Sequence, residues 1–142
     1  MPKLHWGHEM AYTEAPHQLG LGFACKPNKS IPFIGRDAYL ARKAEGKGPF
    51  LCSVRLADPA PLLHHNEPVL RDGEIVGYVT NGAYGATTGA AVGLCLISAP
   101  KGGTGQTKVA EGTCAVRIEG RDIPAELSLT PFYDPKNTRM LG

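Results

Sequence analysis

Alternating apolar and polar residues predict β-strands along most of the chain from Phe50 onward. In the run "FLCSVRL", apolar residues at every second position share one face, while Ser53 and Arg55 share the other, as in a half-buried strand. Both arms of "CAVRIEGRDIPAELSL" show the same period, which predicts a hairpin that turns near Gly120. The run "GAAVGLCLIS" predicts one more strand, in which Gly89 and Gly93 allow a bend or a close approach of backbones.

The run "DGEIVGYVTNGAYG" at residues 72–85 is rich in glycine and lies between apolar stretches. Asp72 and Gly73 predict a tight hairpin turn, because this pair tolerates the positive φ that such turns need. Residues 74–80 are predicted to form a strand, and Asn81 with Gly82 to begin the next turn. No helix is predicted after these glycines, so the run lacks the architecture of a phosphate-binding loop.

One helix is predicted, in the run "FIGRDAYLARKAEGKG". Asp37 lies in its first turn, and Gly46 follows its last turn as a stop signal. Its narrow apolar face is predicted to consist of Ala38, Ala41 and Ala44. Residues 1–32 show no regular period and are predicted to be irregular.

These patterns predict a mainly β fold. Some six strands joined mostly by short turns favour a small closed antiparallel, Greek-key-like β-barrel with one short lead-in helix. Closure is expected because an open sheet of this size would leave two exposed edges. The length of 142 residues is compatible with one such domain.

Charge and hydropathy indicate which classes of partner are not expected. Basic and acidic residues are interleaved and give a formal net charge of only +2, so no nucleic-acid-binding field is expected. The longest apolar stretch, "GAAVGLCLISA", has about half the length that a membrane-spanning helix needs. Neither a nucleic-acid partner nor a membrane partner is therefore predicted.

The cysteine pattern indicates the redox state of the compartment in which the protein is expected to work. Cys25, Cys52, Cys95 and Cys114 are widely separated, and no C-x-x-C motif occurs. Three of them lie within apolar runs, which predicts buried free thiols rather than a disulfide framework. A reducing, cytoplasmic location is expected.

No motif in the chain predicts a complete catalytic or metal site. The glycine-rich run "KGGTGQTK" at residues 101–108 lacks the order of a nucleotide-binding loop, and "GLGFACK" lacks the third glycine of a dinucleotide fingerprint. The histidine pairs lack a neighbouring carboxylate or thiol at ligand spacing. They are predicted to be solvated loop residues: His5, His8, His64 and His65. We expect no catalytic residue and no metal ligand.

Four stretches resemble the C-terminal part of the folate-dependent aminomethyltransferase family, which includes the glycine cleavage T-protein and the C-terminal regions of dimethylglycine and sarcosine dehydrogenases. They are "WGHEM" with "APHQLGLGF", "FIGRDAYL", "VGYVTNGAYGATTGAAVGL" and "IPAELSLTPFYDPKNTRM". They are similar, in that order, to the W-G-x-[DE] and T-P-L-E-A-G-L-like segments, the F-I-G-R-E-A-L helix start, the G-x-V-T-S-G-x-x-S-P signature, and the closing strand with its P-x-Y-D-P-x-N-x-R tail. The last two favour the dehydrogenase-type branch.

The resemblance implies that residues 33–142 form the family's C-terminal β-barrel domain and residues 1–32 the last piece of its folate-binding domain. It also implies tetrahydrofolate as cofactor, in the one-carbon metabolism of glycine, dimethylglycine or sarcosine. The family's catalytic aspartate and pterin-binding glutamate lie N-terminal to the segment that matches Trp6. We therefore expect a truncated chain that is not catalytic alone, which leaves its status as an enzyme open.

The resemblance also points to three residues that could contact folate or the amine substrate, namely Lys29, Tyr84 and Tyr133. Ordinary packing or solvent exposure is the alternative for each. The chain departs from the family pattern at Gln18, where a glutamate is common, and at Thr87 and Thr88, which replace the serine-proline pair.

Two kinds of partner follow from this interpretation. The missing folate-binding domain, or a partner chain that supplies it, would complete the cleft, and self-association would cover the same face. The alternative function is a non-catalytic β-barrel that acts as a protein-interaction module, since an uncovered domain face leaves an apolar patch.

Overall fold

The computed structural model describes residues 4–99 and 109–141, so the predicted loop "KGGTGQTK" lies outside the described residues. Within that part the strands are β1 (Phe50–Leu56), β2 (Pro68–Arg71), β3 (Glu74–Gly85), β4 (Ala90–Ile97), β5 (Cys114–Ile118) and β6 (Arg121–Ser128). The helices are α1 (Gly22–Cys25), α2 (Arg36–Glu45) and α3 (Thr138–Leu141).

The strands form a closed barrel in the order β1-β4-β3-β2-β5-β6, and pairing between β1 and β6 completes the ring. Every pairing is antiparallel. Hairpins join β2, β3 and β4, while β1 lies beside β4, which is a Greek-key arrangement. The predicted fold class is confirmed.

The two tight turns predicted from sequence are confirmed. Asp72 and Gly73 have φ values of 51° and 83°, and Glu119 and Gly120 have φ values of 49° and 77°. Two consecutive residues in the left-handed region match the right-handed twist of the strands that they join. These pairs fix the registers of β2 with β3 and of β5 with β6.

The turn predicted at Asn81 and Gly82 is wrong, because β3 continues through both residues to Gly85. A Cβ atom on Gly82 would lie 2.3 Å from the Cβ atom of Leu63. The glycine therefore permits a close approach of the loop that follows β1. The predicted close approach at Gly93 is confirmed, since a Cβ atom there would lie 2.3 Å from the Asn81 carbonyl oxygen.

The core lies inside the barrel and consists of the inward-facing residues of all six strands. Burial alternates strictly in β1 and β5, as their sequence period predicts. The most fully buried apolar side chains include those of Val54, Val69, Val79, Cys95, Ile97 and Val116. Val109 and Leu63, from the connections, close the core.

The predicted helix is confirmed as α2, and its predicted narrow apolar face is not buried. All three alanines of that face are exposed, and α2 contains no buried residue. Tyr39 and Leu40 are half-buried instead. The short helices α1 and α3 were not predicted, because four residues are too few to show a period. Within the described residues, no helix is long and apolar enough to cross a membrane.

Candidate functional site

The main candidate site is a groove of about 880 Å³ on the outer face of the barrel. Strands β1, β3 and β4 form its floor. Its wall is the C-terminal tail, defined here as residues 129–141. The groove is lined by Ser53, Asn81, Gly82, Ala83, Thr88, Val92, Gly93, Leu94, Pro131, Phe132, Tyr133, Asp134, Asn137 and Arg139.

Strand register explains which side chains form the floor of the groove. Ser53 and Asn81 both pair with Leu94, so their side chains share the outer face. The adjacent pair Cys52 and Cys95 faces inward and is buried. Small or short side chains on the outer face leave room for a flat ligand.

The tail contributes two aromatic rings, each beside an arginine. The Arg139 guanidinium carbon lies 5.5 Å from the centre of the Tyr133 ring, and that of Arg55 lies 5.3 Å from the centre of the Phe132 ring. The Glu126 carboxylate pairs with Arg55 at 2.8 Å. These contacts lie within the range of cation–π attraction and hold the tail in an ordered position.

Asp134 fixes the end of the tail. Its carboxylate accepts hydrogen bonds from the Thr138 backbone N–H at 2.8 Å, the Thr138 hydroxyl at 2.9 Å and the Arg139 backbone N–H at 3.1 Å. A carboxylate at this position satisfies amides that would otherwise be free at the start of α3. It therefore orients the helix that carries Arg139.

A second groove, of about 370 Å³, continues the first toward the N-terminal part of the chain. Both grooves are lined by Ser53, Leu94, Pro131 and Asn137. The second groove also includes Leu19 and Phe23, whose side chains come from the lead-in segment, defined here as residues 4–49. The candidate site thus spans barrel, tail and lead-in segment.

Gln18 joins the lead-in segment to the barrel. Its side chain is only 1% exposed. Its amide oxygen accepts from the Ala15 backbone N–H at 2.6 Å, and its amide nitrogen donates to the Lys47 carbonyl at 2.9 Å. Its own carbonyl accepts from the Leu51 N–H of β1 at 2.8 Å. A glutamate, which the resemblance leads us to expect at this position, could not donate to Lys47 while ionised.

A second link joins the lead-in segment directly to the floor of the groove. Glu9 is buried; one of its carboxylate oxygens accepts from the Asn81 side-chain amide, and the other accepts from the His5 backbone N–H at 2.7 Å. The charge-assisted bond holds the first turn of the chain beside β3. It also explains why Asn81 faces outward from a strand rather than making a turn.

Three thiols lie inside the barrel, and two of them, those of Cys52 and Cys114, interact with the buried Arg71. Burial raises the pKa of Cys52 to about 12, although the Arg71 charge lowers it in part. Burial also raises the pKa of Cys95 and Cys114, the former well above its usual value. The predicted free, buried state of these thiols is confirmed. Being protonated and enclosed, they are poor nucleophiles at neutral pH.

The three predicted site residues do not meet in one place. Tyr133 lines the groove. Tyr84 pairs with Ala91, whose side chain faces inward, so Tyr84 projects from the face of β3 opposite to Ala83 and the groove. Lys29 is exposed in the lead-in segment, with its ammonium 5.0 Å from the centre of the Phe33 ring. Of these residues, only Tyr133 belongs to the site that the geometry defines.

Sequence reasoning did not single out Phe132, Asn137 or Arg139. All three lie in the tail segment that carries the resemblance, and Asn137 and Arg139 occupy its x-N-x-R end. Their contribution depends on how the tail folds back over β1 and β4, which no local period shows.

The groove suits binding better than catalysis. Among the described residues that line it, the one carboxylate, that of Asp134, is committed to α3, and there is neither a histidine nor a cysteine. Among residues 4–99 and 109–141, no group of three histidine, cysteine or acidic side chains is placed to hold a metal ion. The rings of His8 and His65 contact each other at 5.2 Å between their centres, away from the groove lining.

The chain matches known proteins over most of its length. Residues 50–134 match the family model described as the glycine cleavage T-protein C-terminal barrel domain. A 4-methylaminobutanoate oxidase (formaldehyde-forming) from Paenarthrobacter nicotinovorans is 35% identical over 97% of this chain and 16% of its own length. An aminomethyltransferase from Geobacillus sp. (strain WCH70) is 33% identical over 90% of this chain and 33% of its own length.

A mitochondrial sarcosine dehydrogenase from Mus musculus is 30% identical over 97% of this chain and 15% of its own length. The crystal structure of glycine cleavage system aminomethyltransferase T from Bartonella henselae superimposes with a TM-score of 0.74 at 17% identity, over 94% of this chain and 36% of that chain. The chain therefore spans about a third of the aminomethyltransferases and about a sixth of the longer relatives.

Proposed function

The chain belongs to the family of glycine cleavage T-protein C-terminal barrel domains, and on that premise we propose that it is the barrel portion of a tetrahydrofolate-dependent aminomethyltransferase-like protein. On this proposal it acts in the one-carbon metabolism of glycine, dimethylglycine or sarcosine. Relatives named as an aminomethyltransferase, a sarcosine dehydrogenase and a methylaminobutanoate oxidase support this range of amines.

The observation that carries the proposal is the groove beneath Tyr133. It combines an exposed aromatic ring, a floor made mostly of small side chains and a guanidinium beside the ring. A pteridine or benzoyl ring could stack on Tyr133, and the floor would exclude water from its other face. The barrel would close one side of a folate cleft.

The rest of the cleft would come from a folate-binding domain, joined in the same protein or supplied by a partner chain. This follows because the described residues offer the groove no free carboxylate to orient a pterin or to accept a proton. The exposed lead-in segment lies beside the groove and is suited to contact that domain. Alone, the chain would bind tetrahydrofolate weakly and would not catalyse transfer.

A chimera tests this proposal. In it, the present chain replaces the matching C-terminal part of the Geobacillus aminomethyltransferase, and tetrahydrofolate binding is measured by calorimetry. The chimera should bind tetrahydrofolate, whereas the isolated chain should give no micromolar binding. Micromolar binding by the isolated chain, or a folded chimera that does not bind, would contradict the proposal.

Two tyrosine variants locate the site within the chimera. Tyr133→Ala should weaken tetrahydrofolate binding about tenfold or more, since base–aromatic stacking contributes about 1–3 kcal/mol. Tyr84→Ala serves as the matched control because Tyr84 is similarly exposed but projects from the other face of β3. A larger loss with Tyr84→Ala than with Tyr133→Ala would move the site away from the groove.

The alternative function, a non-catalytic interaction module, is favoured by one observation. The lead-in segment exposes large apolar side chains, namely those of Trp6, Tyr12, Phe23, Ile31 and Ile34. Such exposure in one segment is typical of a surface that another protein covers. Light scattering across a range of concentrations tests whether self-association covers this surface. A chain that stays monomeric at every concentration would argue against it.

A further inference from the structure

We propose that Arg71 forms a binding site for a short-chain aliphatic monocarboxylate, separate from the groove beside the C-terminal tail. The site is a cavity of about 790 Å³ at the other end of β3 and β4. Its lining includes Pro49, Arg71, Asp72, Glu74, Ile75 and Val76. None of the described residues that line this cavity also lines the first groove, so the inference does not depend on the proposed function.

Arg71 is buried although its side chain is charged. It is the last residue of β2 and is only 6% exposed. One terminal nitrogen of its guanidinium donates to the Ser98 carbonyl at 3.4 Å, and the other donates to the Val109 carbonyl. In the part of the chain that the structure describes, its Nε–H has no hydrogen-bond partner. Because buried donors in proteins are nearly always bonded, this N–H is a donor that a ligand in the cavity can use.

The positive charge of Arg71 is also unpaired. Among residues 4–99 and 109–141, no carboxylate forms an ion pair with its side chain, and residues 100–108 include neither aspartate nor glutamate. The neighbouring thiols of Cys52 and Cys114 keep their protons, because burial raises the pKa of both. A guanidinium keeps its charge in proteins, and a buried charge without a partner is costly. An anion bound beside Arg71 would offset that cost.

Two acidic side chains limit the charge of this anion. Asp72 and Glu74 line the same cavity, and one carboxylate oxygen of Asp72 accepts from the Thr113 backbone N–H at 2.9 Å. Both carboxylates would repel a dianion such as hydrogen phosphate more strongly than a singly charged group. A planar carboxylate also matches the fork of donors that a guanidinium presents. A monocarboxylate therefore fits the cavity better than a phosphate.

The rest of the wall determines what the carboxylate is attached to. Pro49, Ile75 and Val76 give this part of the lining an apolar character, and the volume of the cavity lies in the range of small-molecule sites. An aliphatic chain placed against these side chains would be removed from water, while its carboxylate pairs with Arg71. The ligand class is thus a short-chain aliphatic acid.

Hexanoate and hexanamide form a matched pair of probes for the intact chain, because they have the same chain length and only hexanoate is charged. NMR titration gives the affinity of each probe, and the signal of the Arg71 Nε–H, assigned through its own side-chain carbons, reports on the site directly. Hexanoate should bind about tenfold more tightly than hexanamide, as expected for hydrogen bonds to a buried charged group. It should also shift the Nε–H signal. Formate, which has no aliphatic chain, and inorganic phosphate should both bind more weakly than hexanoate.

Variants assign the preference for the acid to this cavity. Arg71→Gln should remove it, whereas Arg121→Gln, at an exposed arginine outside the lining, should retain it. Ile75→Glu leaves Arg71 in place and adds a carboxylate at an exposed lining position, so it should weaken hexanoate binding about threefold to tenfold more than hexanamide binding. Ile34→Glu, at a fully exposed position outside the lining, is its matched control and should leave both affinities unchanged. Circular dichroism verifies that each variant keeps the fold of the native chain.

Four results would overturn the inference: equal affinities for hexanoate and hexanamide, an Nε–H signal that hexanoate leaves unchanged, an acid preference that survives in both Arg71→Gln and Ile75→Glu, or no binding of either probe. Tighter binding of phosphate than of hexanoate would also overturn it, since the cavity would then select a dianion. Failure of the proposed function is a separate result, because tetrahydrofolate binding by the chimera is measured at a groove with different lining residues.

Discussion

The barrel and the lead-in segment are stabilised in different ways. Across residues 50–128, six strands bond to neighbours on both sides around a continuous apolar core. Across residues 4–49, the buried side chains are Glu9, Ala15, Gln18 and Leu19, and half of these are polar. The barrel contains its own hydrophobic driving force, whereas the lead-in segment is held mainly by a few directed hydrogen bonds.

This difference bears on what each region does. The barrel resembles a complete folding unit, because closure satisfies its strand edges and a continuous apolar core is enclosed within it. The lead-in segment exposes apolar side chains at its surface, Ile34 fully and Trp6 by two thirds. Such exposure is expected of a surface that another domain or protein covers. The following predictions test the contrast, from the largest expected effect to the smallest.

A matched pair of isoleucines gives the largest predicted contrast. Ile97→Ala removes a fully buried side chain and should lower the free energy of unfolding by about 2–5 kcal/mol. Ile34→Ala removes a fully exposed one and should change it by less than about 0.5 kcal/mol. Urea unfolding measures both values. Similar losses for the two variants would show that the lead-in segment shares the core.

The link at Gln18 should give the next largest effect. Gln18→Glu replaces the buried donor to the Lys47 carbonyl with an acceptor, so the unfolding free energy should fall by about 1–3 kcal/mol at neutral pH. The loss should shrink as pH is lowered, since a protonated carboxyl can donate. Gln18→Met, of similar volume and without charge, separates loss of the hydrogen bonds from burial of the charge.

A loss that does not change with pH would contradict the role of Gln18 as a donor. The same would follow if Gln18→Met and Gln18→Glu were equally destabilised at every pH. The measurement is urea unfolding of both variants across the acidic range.

The barrel thiols should make stability fall at alkaline pH. Cys52 keeps its proton up to a pKa of about 12 in the folded barrel, whereas an unfolded thiol releases it near its model value of 9.0. The unfolded chain then binds fewer protons, so the unfolding free energy should fall above pH 9.0, by about 1.4 kcal/mol per pH unit for one thiol. This contribution is fully present below that pH.

Cys52→Ala removes one titrating group and tests this prediction. The difference in unfolding free energy between the native chain and Cys52→Ala should be constant below pH 9.0 and should decrease above it. A difference that stays constant into the alkaline range would show that the folded thiol titrates normally.

The smallest effect on stability should come from Trp6. The side chain is 68% exposed, so Trp6→Ser should change the unfolding free energy by less than about 0.5 kcal/mol. In the chimera, the same substitution should cost several times more, because the proposed folate-binding domain would cover the indole. Equal small effects in both proteins would place Trp6 outside the interface.

Local patterns predicted the barrel well. Strands and tight turns are encoded by short stretches of sequence, such as the period of two in β1 and β5 and the Asp72–Gly73 pair. The strands, the turns and the closure of the barrel could therefore be predicted. Asn81 and Gly82 misled for a physical reason. The same residue pair that accepts a left-handed turn also provides a side-chain donor for Glu9 and room for Leu63.

The site was less accessible to sequence reasoning because it forms between distant segments. Tyr133 was identified from the tail resemblance, but Arg139 becomes significant only when α3 places it over that ring. The exposed face of α2 has a similar explanation. Alanines at every third position indicate an apolar helix face. They do not show whether another part of the chain packs against that face.

Hydrogen exchange, followed by mass spectrometry, tests the central contrast most directly. It should be measured on the isolated chain and on the chimera in which the rest of the protein comes from the Geobacillus aminomethyltransferase. We predict that strands β1 to β6 are strongly protected in both proteins, and that residues 4–49 gain protection only in the chimera. A lead-in segment as protected as the barrel in the isolated chain would contradict the account.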